Sequence, residues 1–417
     1  MSGVLILEKQ ILLPKQEVIM IDEILMKAVV DTIPQWYTAE YGQHQYNLSI
    51  RQSHFRFCSH TPLSPKLQKF YEYANRMLPM WKRIISASPL AIHVDFIQAV
   101  LALKWLNLFD SEIDWRELFM FIRKTGNKSY ENHTVTLNLI ISPGKGKIKI
   151  NNPDFNKFLG PLVNSQRIFF RVDKQLNFLG YEEIPWTNIK ETEDYKFSPE
   201  FLQPIASVLK EGEISVHLTS NGDTLFMNSD GIIASRRKLS WHFYDVFNFS
   251  ESTLKLFRSN HHACGLLEVM LDLSYHRRGA LVIFDHNCTV IKQLVSTNSS
   301  ACNKYGTPDL FRSMLAKSFN TPDSTKKAEF IRKKRLFLEI TGIDGAVICN
   351  NEGLMAFGAM IKPHPNVKSY RGARTTAAVS AYKWGGIALN VSTDGYINIY
   401  FESTDGENSC DAVITFM

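Results

Sequence analysis

Between Gly279 and Phe401 short apolar runs of strand length alternate with stretches of helical periodicity, and this alternation restricts the C-terminal part of the chain to an α/β sheet. Gly279 to Phe284, Ala346 to Cys349 and Leu354 to Ile361 are nearly unbroken apolar segments, the pattern of strands covered on both faces. Ile387 to Val391 and Tyr396 to Phe401 flank Asp394-Gly395, a turn pair that joins strands into a hairpin. Helical patterns cover Leu254 to Tyr275, Asp309 to Ser318, Thr325 to Thr341 and the stretch that starts at Thr376. The expected architecture is a mixed, twisted sheet flanked by helices.

The first half reads as α+β. Apolar positions at helical spacing from Lys15 to about Trp36 predict a helix, followed by a strand over Tyr46 to Phe57. Leu67 to Phe121 is helical, punctuated by Pro79, Pro89 and the acidic turn at Asp110 to Asp114. From Thr134 the period changes to alternation, which predicts a hairpin through Ile140, Gly144 to Gly146 and Ile150. Strands are expected at Ile168 to Val172, Leu176 to Tyr181, Ile214 to Leu218, Thr224 to Met227 and Gly231 to Ser235, with a short helix at Phe201 to Leu209. Ser250 to Ser252 is the candidate boundary, giving domains 1–250 and 251–417.

Composition narrows the function classes. The net charge of +6 suits a bound nucleotide and is too dispersed for a nucleic-acid coat. Pro89 to Phe109 carries His93, Asp95, Gln98 and Lys104, so it reads as a core helix and not as a membrane span. Met1 to Leu13 lacks a basic leader and a long apolar centre, and the six cysteines show no paired spacing; reduced thiols and a cytoplasmic location are the expectation. His261-His262-Ala263-Cys264 places its histidines on different helix faces and makes a poor metal site. The basic run from Lys326 to Arg335 reads as the wet face of an amphipathic helix.

Three constellations in the second half could carry chemistry. Asp344-Gly345-Ala346 precedes a strand, so a carboxylate is followed by residues that let a nucleotide or cation approach the backbone. Arg371-Gly372-Ala373-Arg374-Thr375-Thr376 leads into a helix, where free amides, a guanidinium and two hydroxyls suit phosphate oxygens. Ser392-Thr393-Asp394-Gly395 is the hairpin turn. Taken singly, each also fits an ordinary turn or helix entry.

Taken in order, they resemble the catalytic domain of the diadenylate cyclase family, in the form fused to an N-terminal sensor domain. The resemblance starts at the strand Gly279-Ala280-Leu281, continues through Asp344-Gly345-Ala346 and Phe357-Gly358-Ala359, and ends at Ser392-Thr393-Asp394, covering roughly Ser250 to Met417. It implies that two ATP molecules, held with Mg or Mn by a face-to-face homodimer or higher oligomer, are joined into cyclic di-AMP with release of pyrophosphate. Asp344 would bind the metal, Gly345 and Ala346 would border the adenosine, and Gly372, Arg374, Thr375 and Thr376 would hold the triphosphate. Ser392 would contact a phosphate or ribose, with Asp394 a second metal candidate. The family's Gly-Thr-Arg-His-Arg-Ala-Ala reads Gly372-Ala373-Arg374-Thr375-Thr376-Ala377-Ala378 here, so a histidine and an arginine are replaced by threonines. Lys362, Lys368 and Arg371 could restore the charge. The alternatives are a catalytically diverged nucleotide sensor and a structural scaffold.

Overall fold

The computed structural model describes residues 15–39, 42–50, 53–85, 90–127, 129–130, 133–152, 168–183, 197–237, 240–257, 261–295, 301–302, 335–350, 353–368, 372–405 and 408–416. Helix α1 (Lys15–Val30) is followed by a hairpin, β1 (His44–Ile50) and β2 (Ser53–Ser59), paired from His44↔Ser59 to Ile50↔Ser53. The single strand expected over Tyr46 to Phe57 is therefore two: alternation continues across the turn, and periodicity alone does not mark the reversal. Helices α2 (Pro65–Ile85), α3 (Leu90–Asn107) and α4 (Trp115–Gly126) come next. Pro79 lies inside α2 and does not end it. Asp114 caps α4, its carboxylate accepting from the Glu117 amide at 2.9 Å, a contact that contributes about 1 kcal/mol.

A two-residue pair, β3 (Ser129–Tyr130) and β4 (His133–Thr134), leads into an eight-stranded sheet. Its strands are β5 (Leu137–Ile141), β6 (Ile148–Lys149), β7 (Ile168–Val172), β8 (Asn177–Glu183), β9 (Ile214–Leu218), β10 (Thr224–Asn228), β11 (Gly231–Arg237) and β12 (Ser240–Phe243), in the order β12-β11-β10-β9-β5-β7-β8-β6. A 3-10 turn, Glu200–Leu202, and the single helical turn α5 (Gln203–Ala206) precede β9. The hairpin expected between β5 and β6 does not form: β5 pairs with β7 in parallel and with β9 antiparallel, while β6 pairs with β8. On β5, Leu139 and Ile141 face α1 to α4, whereas Ile140 faces the other way, as alternation requires. Trp105 locks α3 onto the sheet by donating its indole N–H to the Ile233 carbonyl at 2.7 Å. This packing makes α3 the core helix expected from its polar residues, and no helix among the described residues is long and apolar enough to cross a membrane.

Helices α6 (Val246–Leu256) and α7 (His261–Tyr275) lead to a seven-stranded mixed sheet. It contains β13 (Ala280–Phe284), β14 (Ala301–Cys302), β15 (Ala346–Asn350), β16 (Gly353–Ala359), β17 (Ile387–Val391), β18 (Ile397–Asp405) and β19 (Asn408–Phe416), in the order β14-β16-β15-β13-β17-β18-β19. Only β13 and β15 run parallel among its paired strands. Residues 335–341 are helical, and α8 (Ala373–Lys383) precedes β17. Ala280, Val282 and Phe284 face α7, while Leu281 and Ile283 face Ala378 and Ala381 of α8, so helices cover both faces. Asp309 to Ser318 and most of Thr325 to Thr341, with the basic run up to Lys334, lie outside the described residues.

Ser250 to Ser252 falls inside α6, with Ser252 and Thr253 buried, so no linker separates the halves at that point. The two sheets share one apolar core in which Tyr37, Phe197 and Leu225 of the first half meet Phe284, Phe401 and Phe416 of the second. Tyr37 also hydrogen-bonds Ser403 at 3.1 Å, and burial pushes its phenol up to about 12, so it stays neutral. Among the described residues, Cys58, Cys288, Cys349 and Cys410 are outside any disulfide.

Candidate functional site at one edge of the C-terminal sheet

The amino ends of β13 and β15 share an edge with the carboxyl ends of β16 and β17, because β13 pairs antiparallel with β17 (Ala280↔Val391) and β15 with β16 (Ala346↔Ala359). Asp344 and Gly345 precede β15, Gly279 precedes β13, and the Ser392 to Gly395 turn follows β17. Arg374 of α8 bonds Asp344, so the described parts of all three constellations reach the same edge. In all-parallel sheets ligands gather at the carboxyl ends of the strands, whereas this group sits at the amino ends of the one parallel pair.

Two glycines shape the entrance to β15. Gly345 has φ +105°, and a Cβ there would lie 2.5 Å from the Gly358 carbonyl carbon. The loop that carries Asp344 is therefore pressed onto the end of β16. Across from it Gly372, at φ +121°, is the N-cap of α8, and its carbonyl accepts from the Thr376 amide at 3.2 Å. The amides of the first turn have no partners within an α-helix and carry the positive end of its dipole.

Arg374 and Asp344 meet at this edge. Nη2 of Arg374 donates to Oδ1 of Asp344 at 3.1 Å; the arginine side chain is 34% exposed and the aspartate 93%. A pair so open to water contributes little to stability. The guanidinium lies over Gly279, where a Cβ would come within 2.4 Å of Nη1 and 3.2 Å of the Thr393 methyl. Arg374 thereby links the carboxylate, the start of β13 and the hairpin turn.

Beneath the first turn of α8, Asn390 is buried, and its Nδ2 donates to the Thr375 hydroxyl at a long 3.5 Å. Its Oδ1 has no hydrogen-bond partner among the described residues. A buried acceptor left unpaired costs about 1–3 kcal/mol, so a polar group arriving at this helix end would relieve a standing penalty. In the sequence Gly279 and Thr393 were legible only as parts of motifs and Asn390 not at all, because their relation to Arg374 and Thr375 exists only across the sheet.

The remaining expected residues divide. Thr376 is turned into its own helix, its hydroxyl donating to the Gly372 carbonyl at 3.3 Å. Ala346 is buried in β15. Ser392 shapes the turn: its hydroxyl accepts from the Tyr396 amide at 3.1 Å and its carbonyl from the Gly395 amide at 2.9 Å. Asp394 is exposed, and its backbone carbonyl accepts from Arg277. No group of three or more His, Cys, Asp or Glu side chains that could hold a metal occurs among the described residues. Asp344 alone is still a suitable donor, because Mg is commonly held by one or two carboxylates together with substrate phosphates. Lys362 lies by the other end of α8, where its carbonyl accepts from Trp384 Nε1, so it is badly placed to supply the missing charge. Lys368 is exposed, and Arg371 lies outside the described residues.

A cavity of about 660 Å³ opens at the opposite edge of the same sheet, between Phe284, His286, Tyr382, Lys383, Phe401 and Asp411. None of the residues expected from sequence lines it. Lys383 pairs there with Asp411 at 2.6 Å, and burial, followed by the Asp411 carboxylate, pushes the Tyr382 phenol far up.

No family model matches the chain, and no curated protein matches it. Among solved structures, a hypothetical membrane spanning protein from Bacillus cereus aligns with 41% of this chain and 71% of its own, at 17% identity and a TM-score of 0.25. A double mutant of DacA from Staphylococcus aureus aligns with 39% of this chain and 88% of its own, at 15% identity and a TM-score of 0.20. Similarities at those TM-scores carry no argument about fold or chemistry.

Proposed function

We propose that the C-terminal half binds ATP at the edge formed by Asp344, Arg374 and the start of α8, and that two such sites facing one another condense two ATP molecules into cyclic di-AMP. The observation that carries this reading is the Asp344–Arg374 contact at 3.1 Å, made by a side chain of the first turn of α8, whose N-cap Gly372 supplies no side-chain cap. It supports an anion with an associated cation better than a structural ion pair, because so exposed a pair does little for the fold.

In the proposed reaction each 3′-hydroxyl oxygen forms a bond to the α-phosphorus of the opposing nucleotide. The bond between that phosphorus and the bridging oxygen to the β-phosphate breaks, pyrophosphate leaves with its electron pair, and the hydroxyl proton passes to solvent. Arg374 and the amides of Ala373 to Thr375 would hold the triphosphate and offset the charge that grows on the leaving group. Asp344 would hold Mg or Mn with its carboxylate. A cation held there would lower the pKa of the hydroxyl and shield the phosphate. Gly345 would border the adenosine, and Ser392 the ribose or a phosphate; Ala346, buried in β15, would act only through the backbone that positions Gly345.

A second reading has its own observation. Thr375 and Thr376 supply neither a titratable ring nor a second guanidinium, and Lys362 sits at the wrong end of α8 to replace one. Losing one preorganised donor costs about 3 kcal/mol of transition-state stabilisation, on the order of a hundredfold in rate. A nucleotide sensor with slow or no turnover fits that deficit. Calorimetric titration with ATP and Mn, run beside chromatography of the products, separates the readings. Binding with product supports the cyclase, binding without product the sensor, and no binding removes both.

A further inference from the structure

The turn that follows β17 is gripped from the other half of the protein. Asp223, at the entrance to β10, and Arg237, at the end of β11, are each only 1% exposed in their side chains. Nε of Arg237 donates to Asp223 Oδ2 at 3.1 Å, and Nη2 of Arg277 donates to the two oxygens of the same carboxylate at 2.9 and 2.7 Å. Both arginines then reach across to the hairpin turn. Arg237 Nη1 donates to the Gly395 carbonyl at 2.8 Å, and Arg277 Nη1 donates to the Asp394 carbonyl.

Further contacts hold this cluster. Arg237 also donates through Nη2 to the Ser274 carbonyl at 3.1 Å and stacks its guanidinium 4.3 Å from the centre of the Tyr275 ring. The Ser274 hydroxyl donates to the Gly395 carbonyl as well. Gly395, at φ +94°, leaves the needed space: a Cβ there would sit 2.4 Å from Arg277 Nη1 and 2.7 Å from Arg237 Nη1. Each arginine thus splits its rigid fork between the Asp223 carboxylate and a carbonyl of the turn, a division that a lysine cannot make. At the other end of the turn, Thr393 lies with Arg374 over Gly279.

We infer that Arg237 and Arg277, locked on Asp223, are positioning residues that set the Ser392 to Gly395 turn against Arg374, so that the edge of the N-terminal sheet fixes the shape of the nucleotide site. The functional part of this inference rests on the nucleotide reading above; the mechanical part does not. A shift of the β9 to β11 strands would be felt at the turn through two guanidinium forks and not through a flexible linker. The N-terminal half could by this route act on the site without touching the nucleotide.

The test combines amide hydrogen exchange with ATP titration in the presence of Mn, on the full chain and on Arg237→Gln, Arg277→Gln and Asp223→Asn. Exchange at the Ser392, Gly395 and Tyr396 amides is expected to rise by about tenfold or more, because these amides close the turn. ATP affinity is expected to fall by about tenfold, the size of one lost charge-assisted contact, while β13 and β15 amides keep their protection. Where Arg237→Gln loses that protection and has failed to fold, Arg277→Gln decides, since its side chain is 23% exposed and lies at the rim of the cluster. Unchanged exchange at the turn in a folded variant overturns the mechanical claim. A loosened turn with unchanged ATP affinity overturns the functional one and leaves the nucleotide reading standing. A wild type without ATP affinity removes that reading and the functional claim together, and exchange still decides the mechanical one.

Discussion

Replacing Gly345 by alanine should do much more damage than the same change at Gly372, although both glycines have positive φ and both border the proposed site. At Gly345, φ is +105°, a backbone state that costs a non-glycine residue about 1–3 kcal/mol. The new methyl carbon would also lie 2.5 Å from the Gly358 carbonyl carbon and 2.8 Å from its Cα and oxygen, where carbon contacts prefer about 3.5–4.0 Å. These are backbone atoms and cannot swing aside. Relief requires about 1 Å of separation between the entrance of β15 and the end of β16, an overpacking cost of about 1–3 kcal/mol. Together the two effects give about 4 kcal/mol. At Gly372, φ is +121° and the nearest atom, the Thr375 hydroxyl oxygen, is 3.8 Å away, so only the backbone cost of about 1–3 kcal/mol applies. Urea unfolding of both variants reads the difference directly as a shift in midpoint at constant slope. Equal destabilisation within about 0.5 kcal/mol would refute the claim that the Asp344 loop is clamped to β16.

Gly279→Ala meets the end of a flexible side chain and not backbone, so stability should change by under about 1 kcal/mol while Arg374 is displaced and ATP affinity falls; calorimetry with unchanged affinity would detach Gly279 from the site. Asp344→Asn should leave the unfolding midpoint within about 0.5 kcal/mol of wild type, since the carboxylate is exposed, yet abolish product; retained turnover would dismiss Asp344. His217 is buried between Asn138 Oδ1 at 2.9 Å and the Ser215 hydroxyl at 3.0 Å, and burial lowers its pKa from 6.5 to about 3. Its folded pKa is the depressed one, so its contribution is complete above pH 6.5 and is lost as pH falls toward 3. The total is about 5 kcal/mol, with a slope of about 1.4 kcal/mol per pH unit. In urea titrations between pH 6 and 4, His217→Gln should therefore flatten the stability profile by about one proton, and an unchanged slope would contradict the assignment.

The parts legible in the sequence are those decided locally. Residues 280–284, 346–349 and 387–391 read as strands because their apolar runs are bounded by glycine or a turn, and Asp394-Gly395 marked its hairpin. Asp344 and Arg374 were singled out separately on residue type, and the fold brings them to 3.1 Å. Pairing choices were not legible. Nothing in Leu137 to Ile150 says that β5 will pair with β7 in parallel while β6 joins β8, because the deciding partners are distant in the chain. The Arg237 cluster was hidden for the same reason: Asp223, Arg237 and Arg277 carry no motif, and only the packing of one sheet edge on the other makes them one unit. Ser250 to Ser252 looked like a break because it lies between Phe249 and a new helical pattern, whereas α6 runs through that stretch and buries Ser252.

The most direct test of the central claim is product analysis after the purified chain is incubated with ATP and Mn, with 3′-deoxy-ATP as the control. The account predicts cyclic di-AMP and pyrophosphate from ATP, bound but uncleaved triphosphate with no pyrophosphate release from the 3′-deoxy analogue, and neither product from Asp344→Asn. Failure of the wild-type chain to bind or convert ATP would contradict it.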